Sequence, residues 1–183
     1  MQTLSSHVRR AALRASAVAL LGPLLACGTD DGTTATARRT SPTTPSHCRT
    51  PDLRAEVGPV DPGAGQRNFP IVLTNTSSRT CTLYGYPGAA FVDASGRRLG
   101  PDPRRAPGSP ARVTLAPGDS AWAGLSFSSP EISGARTERP AGLLVTPPDE
   151  RRPIEVPWTA GAVPVSGNAS TVHVTVFAAG SGP

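Results

Sequence analysis

Lysine is missing from this 183-residue chain, and all 18 basic residues are arginine. Histidine (3), cysteine (3) and methionine (1) are scarce, and aromatic residues make up 4% of the total. The main apolar stretch, Ala15 to Ala26, is twelve residues long and carries Gly22 and Pro23 inside it. A membrane-spanning helix needs about 20 apolar residues, which this stretch does not supply. No Gly-rich phosphate loop, HExxH, GxSxG or CxxC is present, so the sequence holds no familiar signature of a nucleotide-binding, zinc-protease, esterase or dithiol site. Arginine without lysine, beside abundant Ala, Gly and Pro, is the mark of a GC-rich genome and carries no functional weight.

Proline and glycine are plentiful, at 21 and 19 residues, and follow no fixed period. So many helix breakers predict strands, turns and loops in one domain with extended ends. The pI of about 10 invites a nucleic-acid reading only if the charge is concentrated on one face. Arg9, Arg10 and Arg14 lie at the N-terminus, and residues 27–183 carry 15 Arg against 13 acidic groups, a net of +2. The pairs Arg97-Arg98, Arg104-Arg105 and Arg151-Arg152 fall in turn-like stretches beside Asp and Pro, the pattern of a solvated surface. No nucleic-acid partner is expected.

The basic start, the apolar stretch and the following Cys27 form a bacterial export signal. Leu24-Leu25-Ala26-Cys27 resembles the lipobox of bacterial lipoproteins. That resemblance implies cleavage before Cys27, a diacylglycerol thioether on its sulfur, and a chain anchored to the outer face of the cytoplasmic membrane. Residues 1–26 are then a removed signal peptide. In residues 28–47 there is no Val, Ile, Leu, Met or aromatic residue, and 13 of the 20 are Thr, Ser, Pro or Gly. Such a segment has nothing to bury, so with the lipidated Cys27 it is expected to be a disordered tether spanning about 25 Å on average.

From Cys48 to the end at Pro183, apolar and polar residues alternate in short runs separated by turn signals. Leu53-Ala55-Val57, Val113-Leu115 and Val172-Val174-Val176 each read as one face of a half-buried strand. Asp93-Ala94-Ser95-Gly96 is a hairpin turn, and Pro117-Gly118 fits the centre of a type II turn. Pro70 and Pro157 belong at edges or bulges unless the ring sits where no hydrogen bond is needed. The stretch Pro101 to Pro110 reads as an irregular loop. The expected fold is an all-β antiparallel sandwich of about 7–9 strands with no helix longer than a turn or two. Its core should take in Phe69, Ile71, Leu73, Leu83, Val113, Leu115, Leu125, Phe127, Leu143, Val145, Ile154, Val156, Trp158, Val172, Val174 and Val176. With Cys27 assigned to lipid, Cys48 and Cys81 are expected to form one disulfide outside the cytoplasm. No cofactor or metal is expected.

The order Cys48, Ile71-Val72-Leu73-Thr74-Asn75-Thr76, Thr80-Cys81-Thr82-Leu83-Tyr84-Gly85-Tyr86-Pro87-Gly88, Val113-Thr114-Leu115-Ala116-Pro117-Gly118-Asp119-Ser120-Ala121 and Val145-Thr146-Pro147-Pro148 resembles the DUF4232 family of secreted and lipid-anchored actinobacterial proteins. The resemblance implies a bridged immunoglobulin-like sandwich and no established activity. From the residues themselves, His173 lies on a Thr-lined outer face and Asp149-Glu150 in a turn, so no catalytic constellation is read and the chain is not expected to be an enzyme. Tyr84 and Tyr86 read as packing their corner. Alternation in Ala121 to Ser128 turns Trp122 outward, either as a binding platform or as a satellite core beneath the Pro101–Pro110 loop. The expected function is a non-catalytic domain that binds a cell-wall glycan or an envelope protein. The alternatives are a structural envelope protein or an unrecognised hydrolase.

Overall fold

A computed structural model describes residues 45–183. The expected signal peptide, Cys27 and the expected tether as far as residue 44 lie outside the described residues. The strands are β1 (Leu53–Val57), β2 (Asp61–Gly63), β3 (Gln66–Asn75), β4 (Cys81–Tyr84), β5 (Gly88–Val92), β6 (Arg98–Leu99), β7 (Arg104–Arg105) and β8 (Arg112–Leu115), followed by β9 (Ser120–Ser128), β10 (Arg136–Glu138), β11 (Gly142–Thr146), β12 (Ile154–Pro157), β13 (Val163–Ser166), β14 (Val172–Val174) and β15 (Ala178–Ala179). Fifteen strands among the described residues exceed the seven to nine expected, because six of them are short pieces of two or three residues and nine have four residues or more. Among the described residues, helix is confined to α1 (Pro130–Ser133) and a 3-10 turn (Thr50–Asp52).

One layer is a sheet ordered β1-β3-β9-β14-β7, with β2 paired to β3 and β15 to β9; the other is ordered β12-β11-β5-β6. Ribbons β4-β8 and β10-β13 complete an immunoglobulin-like sandwich. The inner phases of the two layers meet in one core, with Phe69, Ile71, Leu73, Leu125 and Phe127 from the first and Phe91, Leu143, Val145 and Val156 from the second. Phe69, Phe91, Phe127 and Trp158 cluster there, with ring centroids 4.9 to 6.5 Å apart. The Trp158 indole N–H donates to Gly161 O at 2.9 Å, so its one polar group is satisfied inside the core.

Two core expectations miss, and one strand irregularity explains the more instructive of them. Ile154 is half-buried against the core edge. Val176 leaves the inner phase because Val174 is opposite Leu125 while Ala178 is opposite Trp122, which leaves one extra residue in the Thr175–Phe177 stretch. That bulge turns Phe177 into the core and leaves Val176 half-buried. Thr175 anchors the bulge: its N–H donates to Gly124 O at 2.9 Å, and its hydroxyl oxygen accepts from Gly124 N–H at 2.8 Å.

The two strand prolines meet their ladders differently. Pro157 is on edge strand β12. Pro70 lies in the interior strand β3, yet its carbonyl accepts from Gly58 N–H at 2.8 Å on the side where β1 has ended and β2 has not begun. Gly58 continues the β1–β3 register there, so the bond missing is the one that an N–H at position 70 would return to Gly58 O, and the ladder stops at that pair. The chain passes so close there that a Cβ on Gly58 would lie 2.6 Å from Pro70 Cγ. The predicted turns form as read: Asp119 N–H donates to Ala116 O at 3.0 Å around Pro117-Gly118, with Gly118 at φ +87°. In the β5-β6 hairpin, Asp93 accepts from the Ser95 hydroxyl at 2.6 Å and from the Arg97 N–H at 3.0 Å. These bonds, the Ser95 hydroxyl first, hold the Asp93 carboxyl below the usual carboxylate range.

The stretch Pro101 to Pro110 is not wholly irregular. Within it β7 pairs in parallel with β14, an exception in an otherwise antiparallel sheet. The Tyr86 hydroxyl fixes the next turn by donating to Ala106 O at 2.8 Å.

Candidate functional site

The disulfide Cys48–Cys81 is present and buried, joining the start of the domain to β4 with a Cα–Cα distance of 4.9 Å. Beside it the entering chain is stitched down by backbone bonds, Thr82 N–H to Ser46 O and Cys48 N–H to Thr82 O, both 2.9 Å. Ser46 and His47, just before Cys48, therefore belong to the folded domain. Glu150, read from the sequence only as a turn residue, completes this seam. Its carboxylate accepts from the Thr50 N–H at 3.0 Å and the Thr50 hydroxyl at 2.8 Å, and lies 3.3 Å from His47 Nε2. The Thr50 backbone bond, then the hydroxyl bond, lower the Glu150 pKa. His47, which looks like a tether residue in the sequence, is thus part of the folded seam.

His173 lies on the outer face of β14, as its alternation predicts, opposite Ser126 of β9 and Arg104 of β7. The cross-strand partners are a hydroxyl and a cation, so the sheet brings no carboxylate opposite the imidazole to orient it as a base. Asp149 and Glu150 lie in a different region, and Glu150 is engaged by Thr50. Among the described residues, no group of three His, Cys, Asp or Glu side chains is arranged to hold a metal ion.

Trp122 faces outward, as its phase predicts: burial alternates through β9, with Ala121, Ala123, Leu125 and Phe127 buried. The indole is half-buried between Val72 of β3 and Ala178 of β15. Gly124 leaves room beside it, since a Cβ there would reach 4.0 Å from Trp122 Cζ3. The strand laid alongside Trp122 is β15, whereas the Pro101–Pro110 stretch is tied to β14 and Tyr86. That replaces the expected loop cover. The outer phase of β9 continues with Gly124, Ser126 and Ser128, so the ring is the strand's one large outward side chain, suited to stacking on a sugar or seating an apolar group. Tyr84, read as corner packing, is instead exposed, with the Arg112 guanidinium 5.9 Å above its ring centroid. Tyr86 does pack the corner.

The motif residues turn out to be structural. Asn75 is fully buried, and its amide donates to Leu115 O at 3.0 Å and Arg79 O at 2.8 Å while its oxygen accepts from Ser77. Thr74 and Ser120 share a 2.8 Å hydroxyl bond across β3 and β9. Gly85, at φ +107°, makes the turn between the two tyrosines, and its carbonyl accepts from Phe177 N–H at 2.9 Å. These residues define a disulfide-closed β-sandwich. Residues 48–178 match the family described as a domain of unknown function (DUF4232), and the chain belongs to that family. No curated protein matches the chain.

Proposed function

We propose that this protein is a cell-envelope lipoprotein whose sandwich is a non-catalytic binding module. Lipid on Cys27 holds it at the outer face of the cytoplasmic membrane, and the domain engages a cell-wall glycan or another envelope protein. The observation carrying the binding role is Trp122, a large ring turned away from the core and left half-buried, with only Gly124, Ser126 and Ser128 following it on the outer phase of β9. The hydrophobic effect drives such rings inward unless a neighbour covers them or a ligand uses them. The catalytic alternative finds little support in a His173 facing Ser126 and Arg104.

Cosedimentation of the full-length protein with isolated cell wall, beside pull-down from envelope extract, tests the reading. Trp122→Ala should weaken capture by about tenfold, because a stacked aromatic contributes on the order of 1–3 kcal/mol, while the melting temperature changes little. A fall of several degrees with capture intact would make Trp122 a structural residue and remove the proposed face.

A further inference from the structure

The three arginine pairs that look unrelated in the sequence each send one member to the same place. Arg98 of β6, Arg105 of β7 and Arg151 of the turn after β11 line a groove of about 270 Å³. Its floor is the outer phase of the four-stranded sheet, Gly88 and Ala90 of β5 opposite Thr146 and Leu144 of β11. The small residues at Gly88 and Ala90 keep this floor low.

The charge balance of the groove is one-sided. Asp102 is its one acidic lining residue, and that carboxylate is engaged by Arg98 Nη1 at 2.6 Å. Among the described residues, neither Arg105 nor Arg151 has a carboxylate within ion-pair distance. Arg105 is held instead by a ring, its guanidinium carbon 5.2 Å from the Tyr86 centroid. The Tyr86 hydroxyl bond to Ala106 O fixes that ring against the β7 segment. Two of the three cations are therefore uncompensated, and one of them is pre-positioned. A concave wall of one charge sign focuses potential and concentrates counter-ions, and planar guanidinium forks match the oxygens of phosphate and carboxylate groups.

We propose that this groove is a binding site for an oxyanion, a phosphate or carboxylate group carried by the ligand. Arg105 and Arg151 are its direct charge partners, and Arg98 is held in place by Asp102. The Thr146 hydroxyl on the floor offers a neutral donor. The site is separate from Trp122 and does not depend on the binding role proposed for that residue.

The test uses the full-length protein in a nonionic detergent, with nitrogen-15-labelled arginine observed by NMR. Inorganic phosphate and acetate are titrated separately, and sodium chloride at matched ionic strength is the reference. Saturable shifts of arginine side-chain signals are expected with at least one oxyanion, and Arg105→Gln/Arg151→Gln should weaken binding by about tenfold or more. Tighter binding of phosphate assigns a phosphate-bearing ligand, and tighter binding of acetate assigns a carboxylate. Equal shifts with chloride, or unchanged binding in the double variant, would overturn the site. Melting curves establish that the double variant is folded, and the single Arg151→Gln change at an exposed turn repeats the comparison if it is not.

Discussion

Replacing both Cys48 and Cys81 by alanine is expected to lower the unfolding free energy by roughly 3–4 kcal/mol. The bridge closes a loop with a sequence separation of 33 residues. In the chain-entropy model a loop of that size removes about this much freedom from the unfolded chain. For a domain of this size that corresponds to a drop of roughly 10–15 °C in melting temperature. The bridge also sits where the incoming chain is tied down, beside the Ser46–Thr82 and Cys48–Thr82 backbone bonds and the Thr50–Glu150 contact. Reversible denaturation of the wild type and the double variant measures the difference. A loss below about 1 kcal/mol would mean that those bonds hold the seam without covalent help and that the entropic account is wrong.

The second large effect is expected at Leu125. This residue has no solvent exposure, and it lies on β9 opposite Phe69 of β3 and Val174 of β14. It therefore sits at the centre of the larger sheet, on the face that meets the aromatic cluster. Leu125→Ala removes three buried carbons and leaves a cavity walled by strands on both sides, which have little freedom to collapse. The expected cost is roughly 2–5 kcal/mol, measurable by denaturant titration with an unchanged slope. A cost under about 1 kcal/mol would show that the packing around β9 is looser than its complete burial indicates.

What could be read from the sequence was local. Strict alternation in Ala121 to Ser128 placed Leu125 inside and Trp122 outside, and the Pro-Gly and Asp-x-x-Gly turns formed where their φ requirements demanded. Alternation failed where the register changed: the extra residue at Thr175–Phe177 shifted Val176 and Phe177, and a single-residue bulge leaves no mark in a run of Val and Thr. The outer-phase residues Pro70 and Val72 are buried as well. Gly58 packs on the Pro70 ring and Trp122 stands opposite Val72, contacts made by segments remote in sequence. Long-range placement also hid the arginine groove. Arg98, Arg105 and Arg151 were visible only as three pairs beside Asp and Pro, and nothing local indicates that β6, β7 and a distant turn share one wall. The role of Glu150 was hidden in the same way, because its partner Thr50 is 100 residues away.

The central claim is that the domain works from the membrane surface through Cys27. Palmitate labelling and cell fractionation of wild type and Cys27→Ala test it most directly. The account predicts a labelled, membrane-bound wild-type protein, and an unlabelled Cys27→Ala protein that is either released to the medium or retained as an uncleaved precursor. A processed Cys27→Ala protein that stays with the membrane as firmly as wild type would contradict it.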